Sequence, residues 1–347
     1  MQFSRNGKLK AAFLLIIVTI LTFIHAKAFY LNGKCQMCFQ FVPMFGKFCL
    51  TLWNNKNFSQ MKPSYSSLCR RLAPIYGGGE AKAIVRMLLE DGFSMSLADA
   101  LCGGVEALGY ADAARLEAMA ARLERSEPIQ YVLGRAEFGG RTFAVGPGVL
   151  IPRPETWQLC QMASAFLRGL DCSRPAALDI GTGSGCIAVS IALGSPSAKV
   201  AAWDISPEAL AVAGENASRL GAEVEFECRD ALDPPHDERR WNIVVSNPPY
   251  ICDSERAEMD ENVVAYEPSK ALFVPDSDPL LFYRSIGRYA LRSLKPGGAL
   301  MFETNERYAE ATAEMLRTAG FGQAKVHCDM FGKPRFVAAK MEAELTL

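Results

Sequence analysis

The sequence predicts a mixed α/β protein: a seven-stranded, mostly parallel sheet with helices on both faces, preceded by a small helical domain and a β-hairpin. Three observations lead there. From Glu155 onward, strand-like and helix-like segments alternate, which is the pattern of βαβ units. At residues 177–187 one such strand runs into a glycine-rich turn that opens a helix. Earlier in the chain, apolar residues recur at helical spacing between glycine breaks instead of alternating.

At 347 residues the chain has room for two domains, or one large domain with an appendage. Its charge is unevenly spread. Residues 1–60 carry seven Lys/Arg and no acid, the first acid being Glu80. Residues 61–347 then hold 30 basic and 38 acidic residues, a net of −8. Such a body is a poor match to a polyanion, because non-specific nucleic-acid affinity comes from Lys/Arg–phosphate contacts. The 11 cysteines are scattered, only Cys35 and Cys38 lie close together, and His25, His236 and His327 are isolated. That argues for reduced thiols and against a structural metal.

Arg5, Lys8 and Lys10 precede an apolar run, Ala11–Ile24, and then Ala26-Lys27-Ala28. This has the form of a secretory signal, with a basic start, a short apolar stretch and a small-x-small site, and the run is short for a membrane span. The competing expectation is that residues 1–60 are not part of the working protein, which starts at Met61 and is cytoplasmic. A signal-like or untranslated extension over 1–60 therefore precedes a helical domain over 61–126.

Within that domain, helical spacing runs over residues 65–76, 80–89, 96–101 and 112–125, broken at Gly77-Gly78-Gly79 and Gly103-Gly104. Residues 127–154 form the connector. Ala136–Phe138 and Arg141–Val145 flank Gly139-Gly140, a tight hairpin signal. Pro152 and Pro154 stiffen the segment that follows and present Arg153 outward, placed to meet a substrate carbonyl. The remaining domain, 155–347, carries strands over 176–180, 200–205, 224–228, 243–246, 299–303, 325–328 and 336–339. Its helices span 155–169, 185–194, 207–219, 278–294 and 306–318.

The strand Ala177–Ile180 runs into Gly181-Thr182-Gly183-Ser184-Gly185. Glycines let the backbone bend with positive φ and approach a ligand, and the helix start beyond offers N–H donors. Asp204 follows Gly185 at the distance of the ribose-binding carboxylate of a Rossmann-like half. Asp230, followed by Ala231, ends the third strand and is placed to take an adenine amino group. The glycines do not follow the dinucleotide spacing, and there is no P-loop.

Val244-Val245-Ser246 leads into Asn247-Pro248-Pro249-Tyr250. Two prolines forbid further regular structure and leave a stiff loop at the carboxyl end of a strand, where α/β sheets bind ligands. Asn247 can accept through its carbonyl, and a backbone carbonyl next to a proline is also free to accept. Two adjacent acceptors suit a planar group bearing –NH2. The plainer alternative is a Pro-Pro loop that only closes a strand.

With these pieces the chain resembles the class I S-adenosylmethionine (SAM)-dependent methyltransferases, and more narrowly the HemK-type release factor N5-glutamine methyltransferases. The resemblance rests on residues 127–134, Leu150-Ile-Pro-Arg-Pro-Glu-Thr156, Leu178–Gly185, Asp204-Ile-Ser-Pro207, Ser246–Ile251 and Tyr266-Glu-Pro-Ser-Lys-Ala-Leu-Phe273, in that family's order. It covers residues 61–341. It implies a seven-stranded SAM-methyltransferase sheet, SAM as cofactor and a glutamine of a release factor as substrate. Cofactor-binding residues would be Gly181, Thr182, Gly183, Ser184, Gly185, Asp204, Asp230, Ala231 and Asn247. Asn247, Pro248 and Tyr250 would be catalytic, with Pro249 and Arg153 joining them against the substrate. The partner would be a release factor met by a monomer, with no direct nucleic-acid contact and no membrane for residues 61–347. Glutamine methylation of a ribosomal protein, or amino methylation of nucleic acid, stays open at this point; a non-catalytic binding module of the same fold is the contrasting class. Trp157, Asn242 and Asn305 depart from the family pattern.

Overall fold

A computed structural model describes residues 63–342, so the expectations for the signal-like segment and for a start at Met61 lie outside the described residues. Helix α1 (Tyr65–Phe93) begins at Ser64, whose hydroxyl accepts the Ser67 N–H while Ser67 Oγ accepts the Ser64 N–H. The sequence predicts two helices here, split at the glycine run. The backbone breaks there as expected: Gly77, with φ of +78° and ψ of 160°, is non-helical and separates two helical segments within 65–93. Helices α2 (Leu97–Leu101), α3 (Gly104–Ala107) and α4 (Tyr110–Leu123) close around it. Leu68, Leu72, Leu88, Leu116 and Leu123 form their shared buried core.

A short helix that the periodicity does not reveal, α5 (Ile129–Leu133), leads into the hairpin β1 (Arg135–Phe138) and β2 (Arg141–Ala144). Phe138 pairs with Arg141, which leaves Gly139-Gly140 as a two-residue turn with φ of +56° and +73°. Positive φ at both positions suits glycine. Gly139 has a second reason. A Cβ there would sit 2.4 Å from the Trp157 ring, which stacks edge-on to Phe138. Trp157, one of the departures, is thus the packing partner of the hairpin.

Next come α6 (Thr156–Arg168), β3 (Ala176–Ile180), α7 (Cys186–Gly194), β4 (Lys199–Asp204), α8 (Pro207–Leu220), β5 (Val224–Cys228) and β6 (Trp241–Ser246). A pair of two-residue strands, β7 (Ile251–Cys252) and β8 (Phe273–Val274), brackets the short helices α9 (Glu261–Tyr266) and α10 (Ser269–Leu272). The chain ends with α11 (Leu281–Ser293), β9 (Leu294–Glu303), α12 (Ala309–Ala319), β10 (Gln323–Cys328) and β11 (Pro334–Lys340).

The seven-stranded sheet runs β10-β11-β9-β6-β3-β4-β5, and β11 is its one antiparallel strand. Side chains alternate between its faces. Ala177, Val200, Ala202, Ile243 and Val245 pack under α6, α7 and α8. Leu178, Ala201, Trp203, Val244 and Phe302 pack under α11 and α12. The chain leaves β3 first toward β4 and later returns to β6 on the other side, so the strand order reverses between β3 and β6. That switch point is where an open α/β sheet forms its ligand crevice. Ser246 Oγ donates to the Ile180 carbonyl at 2.6 Å and pins the two strand ends that flank it.

Candidate active site

The residues singled out in the sequence gather at the carboxyl ends of the parallel strands, on two sides of the switch point. On one side, the β3–α7 turn has φ of +76° at Gly181, +54° at Gly183 and +79° at Gly185. A Cβ at Gly181 or Gly183 would meet nothing within 4 Å, so both backbones face open space. Gly185 differs. A Cβ there would lie 3.0 Å from Ala213 Cβ, so this glycine serves the packing of α7 against α8.

Asp204 at the end of β4 accepts the Gly183 N–H at 2.8 Å and the Ser206 N–H at 2.9 Å, which ties the two strand ends together. Asp230 lies two residues beyond β5 and accepts the Leu232 N–H at 2.8 Å. The Ala231 carbonyl accepts the Ser285 hydroxyl at 2.7 Å. Thr182 is buried and donates to Asp179 at 2.6 Å, and the Ser184 carbonyl accepts from Asn216 at 2.9 Å. Asp179 lies beneath the turn with one oxygen unpartnered. Burial pushes its carboxyl up to about 7, against hydrogen bonds from Thr182 and Ala188 that favour the ionised form. An open glycine cradle beside a carboxylate fits the adenosyl and methionyl parts of SAM.

On the other side, Asn247 and Tyr250 line a cavity of about 580 Å³ that also reaches Tyr76 and Glu80 of α1 and Met259. No hydrogen bond reaches the Pro248 carbonyl or Asn247 Oδ1 among the described residues. Asn247 Nδ2 instead donates to Thr156 Oγ1 at 3.4 Å. Thr156 in turn donates to Glu303 at 2.7 Å, and the Tyr250 hydroxyl donates to the other Glu303 oxygen at 3.3 Å. Glu303 is 2% exposed. Burial pushes its carboxyl up, offset by the Thr156 hydroxyl and the Arg335 charge. Burial also raises the Tyr250 phenol, which keeps it neutral.

Arg153 lines the same cavity, but it is not the free outward cation that the two prolines suggest. Its guanidinium is 2.5 Å from Glu267, whose side chain is 1% exposed and also accepts the Ile151 N–H at 3.1 Å. A buried carboxylate calls for such partners, and Arg153 and the Ile151 amide supply them. Pro249 stiffens the loop between Pro248 and Tyr250.

The Methyltransferase small domain profile matches residues 160–267, and the PrmC N-terminal domain profile matches residues 67–134. The chain is 43% identical to the release factor glutamine methyltransferase of Bacteroides thetaiotaomicron over 269 residues, which is 77% of this chain and 95% of that one. It is 36% identical to the protein of that name from Flavobacterium psychrophilum, over 77% of this chain and 94% of the other. The chain belongs to the release factor glutamine methyltransferase family. A solved methyltransferase from Pyrococcus furiosus aligns with 64% of this chain and 97% of its own at 18% identity and a TM-score of 0.42. The protein is a SAM-dependent methyltransferase.

Sequence reasoning missed the family member's supporting residues. Thr156 and Glu303 are 147 positions apart, and neither carries a local signal of its role. Asn216 is also missed: fully buried, it bonds both backbone groups of Ala144 and the Ser184 carbonyl, and so ties the hairpin to the glycine turn. The two other departures fit the fold. Asn242 accepts from the Ala176 N–H and from Lys295, and Asn305 donates to the Tyr250 carbonyl at 3.3 Å.

Proposed function

We propose that the protein methylates the side-chain amide nitrogen of a glutamine in peptide chain release factors, in their Gly-Gly-Gln loop. The observation that carries this is the pair of acceptors that no described residue engages: Asn247 Oδ1, whose residue lines the cavity, and the Pro248 carbonyl next to it in the chain, beside the switch point. The glycine turn, Asp204, Asp230 and Ala231 would hold SAM, whose sulfonium would supply the methyl group and leave as a neutral thioether.

An amide nitrogen is a weak nucleophile because its lone pair is delocalised into the carbonyl. Asn247 Oδ1 and the Pro248 carbonyl accept its two N–H bonds, fix its orientation and favour the positive charge that grows on it as the N–C bond forms. Acceptors placed in advance where charge develops lower the barrier without reorganisation. Tyr250, neutral and held by Glu303, walls the planar amide, and Pro249 keeps the loop from yielding. The proton leaves to bulk water after the bond has formed, so no residue of the site need titrate. Arg153, steadied by Glu267, lines the wall that faces the substrate loop. The helical domain reaches the same cavity through Tyr76 and Glu80, which supports a protein loop as the guest. We read residues 61–126 as the unit that grips this substrate, 127–154 as its connector and 155–347 as the catalytic domain.

The test is mass spectrometry of a release factor incubated with the enzyme and isotope-labelled SAM. The expected result is one labelled methyl on the glutamine of that loop. Label on another residue, or none with active enzyme, would overturn the assignment.

A further inference from the structure

We propose that Glu303 and Thr156 are positioning residues that set which way round the Asn247 amide stands. The inference rests on the amide-clamp reading above and concerns how the clamp is aimed.

An ionised carboxylate accepts hydrogen bonds and donates none. Glu303, at the end of β9, takes the Thr156 hydroxyl on one oxygen and the Tyr250 hydroxyl on the other. The Thr156 hydrogen is therefore committed to Glu303, and Thr156 Oγ1 offers only lone pairs to its other neighbour. That neighbour is Asn247, and the Asn247 atom able to meet a lone pair is Nδ2, which stands 3.4 Å away. With Nδ2 turned to Thr156, Oδ1 has to face the cavity as an acceptor. The opposite rotamer would set Oδ1 against Thr156 lone pairs and present the substrate amide with a donor, which repels its N–H bonds.

The relay is well buried where it begins. Thr156 and Glu303 are each 2% exposed, so water is not at hand to replace a lost partner. It also reaches Tyr250, so one carboxylate aims the clamp and steadies the wall beside it.

Thr156→Val keeps the shape and removes the oxygen, while Thr156→Ser restores the oxygen. Thr156→Val should lower kcat at least about tenfold with the SAM dissociation constant within about twofold, and Thr156→Ser should recover turnover to within about threefold. Glu303→Gln, which presents a donor at one of two positions where Glu303 accepts, should lose turnover as well. A Thr156→Val enzyme with unchanged kcat, or a Thr156→Ser enzyme as impaired as the valine variant, overturns the relay. Asn247→Ala measured alongside separates the two levels. If it is impaired while the Thr156 and Glu303 variants are not, the relay alone fails. If it turns over normally, the clamp fails and takes the relay with it.

Discussion

The two halves of the site are built differently. The side proposed to hold the cofactor has a local centre: the glycine turn, Asp179 beneath it and Asp204 beside it lie within 26 positions of one another, with Asn216 and Ser285 bracing its edges from further off. The bonds of that centre join neighbours in the chain, such as the Gly183 N–H to Asp204 and the Thr182 hydroxyl to Asp179. The substrate side is assembled from afar. Asn247 leans on Thr156, Tyr250 on Glu303, the Tyr250 carbonyl on Asn305, and Arg153 on Glu267, pairs separated by 91, 53, 55 and 114 positions. A cradle for a common cofactor can be written as a short motif. A clamp for one amide has to be aimed by the whole fold, and damage to each half should therefore show in a different quantity.

The largest effect is expected at Asn247. Asn247→Asp keeps acceptors at the clamp but cannot donate to Thr156, and it brings a second carboxylate toward Glu303. Turnover should fall at least about a hundredfold, the scale of a lost transition-state hydrogen bond. Initial-rate measurements at saturating SAM check this, and near-normal turnover would mean that amide orientation does not matter.

Asp204→Ala should weaken SAM binding by about 1.5–3 kcal/mol, because it removes charge-assisted bonds from the cradle. Calorimetric titration reads this directly. Unchanged affinity would move the ribose site elsewhere.

Arg153→Ala should destabilise the fold by about 1–3 kcal/mol, since it leaves the buried Glu267 carboxylate with the Ile151 amide as its remaining partner. Urea unfolding measures it. A neutral result would make the pair dispensable to the scaffold.

The smallest effect concerns pH. Asp179, raised by burial to about 7 in the folded protein, holds a proton there that the unfolded chain has already lost. Stability should therefore fall as pH rises from the ordinary carboxylate range through about 7 and level off above, by about 1 kcal/mol between pH 6 and 8. Calorimetric melting at the two pH values tests it, and Asp179→Asn should flatten the slope.

The sheet was legible because parallel strands buried on both faces are short apolar runs bounded by turn residues. Ala176–Ile180 and Val224–Cys228 match their predicted bounds, and the other strands agree to within a few residues at their edges. The glycine turn and Asn247-Pro248-Pro249-Tyr250 were legible because their chemistry is contiguous. Helices α5, α9 and α10 were not, since four to six residues span less than two turns and leave no repeat to count. Glu303 was hidden for another reason. At the end of an apolar strand it reads as a solvated strand terminus, and only the folded chain brings Thr156 and Tyr250 onto its two oxygens.

The division of labour is tested most directly by crossing two variants with two readouts, the SAM dissociation constant and single-turnover methyl transfer to a release factor at saturating SAM. Asn247→Ala should lose methyl transfer by about a hundredfold or more while binding SAM within about tenfold of wild type. Asp204→Ala should show the reverse, with weak binding and methyl transfer largely restored at saturation. If Asn247→Ala transfers methyl at close to the wild-type rate, or if both variants lose both quantities together, the site is not built from two separable halves.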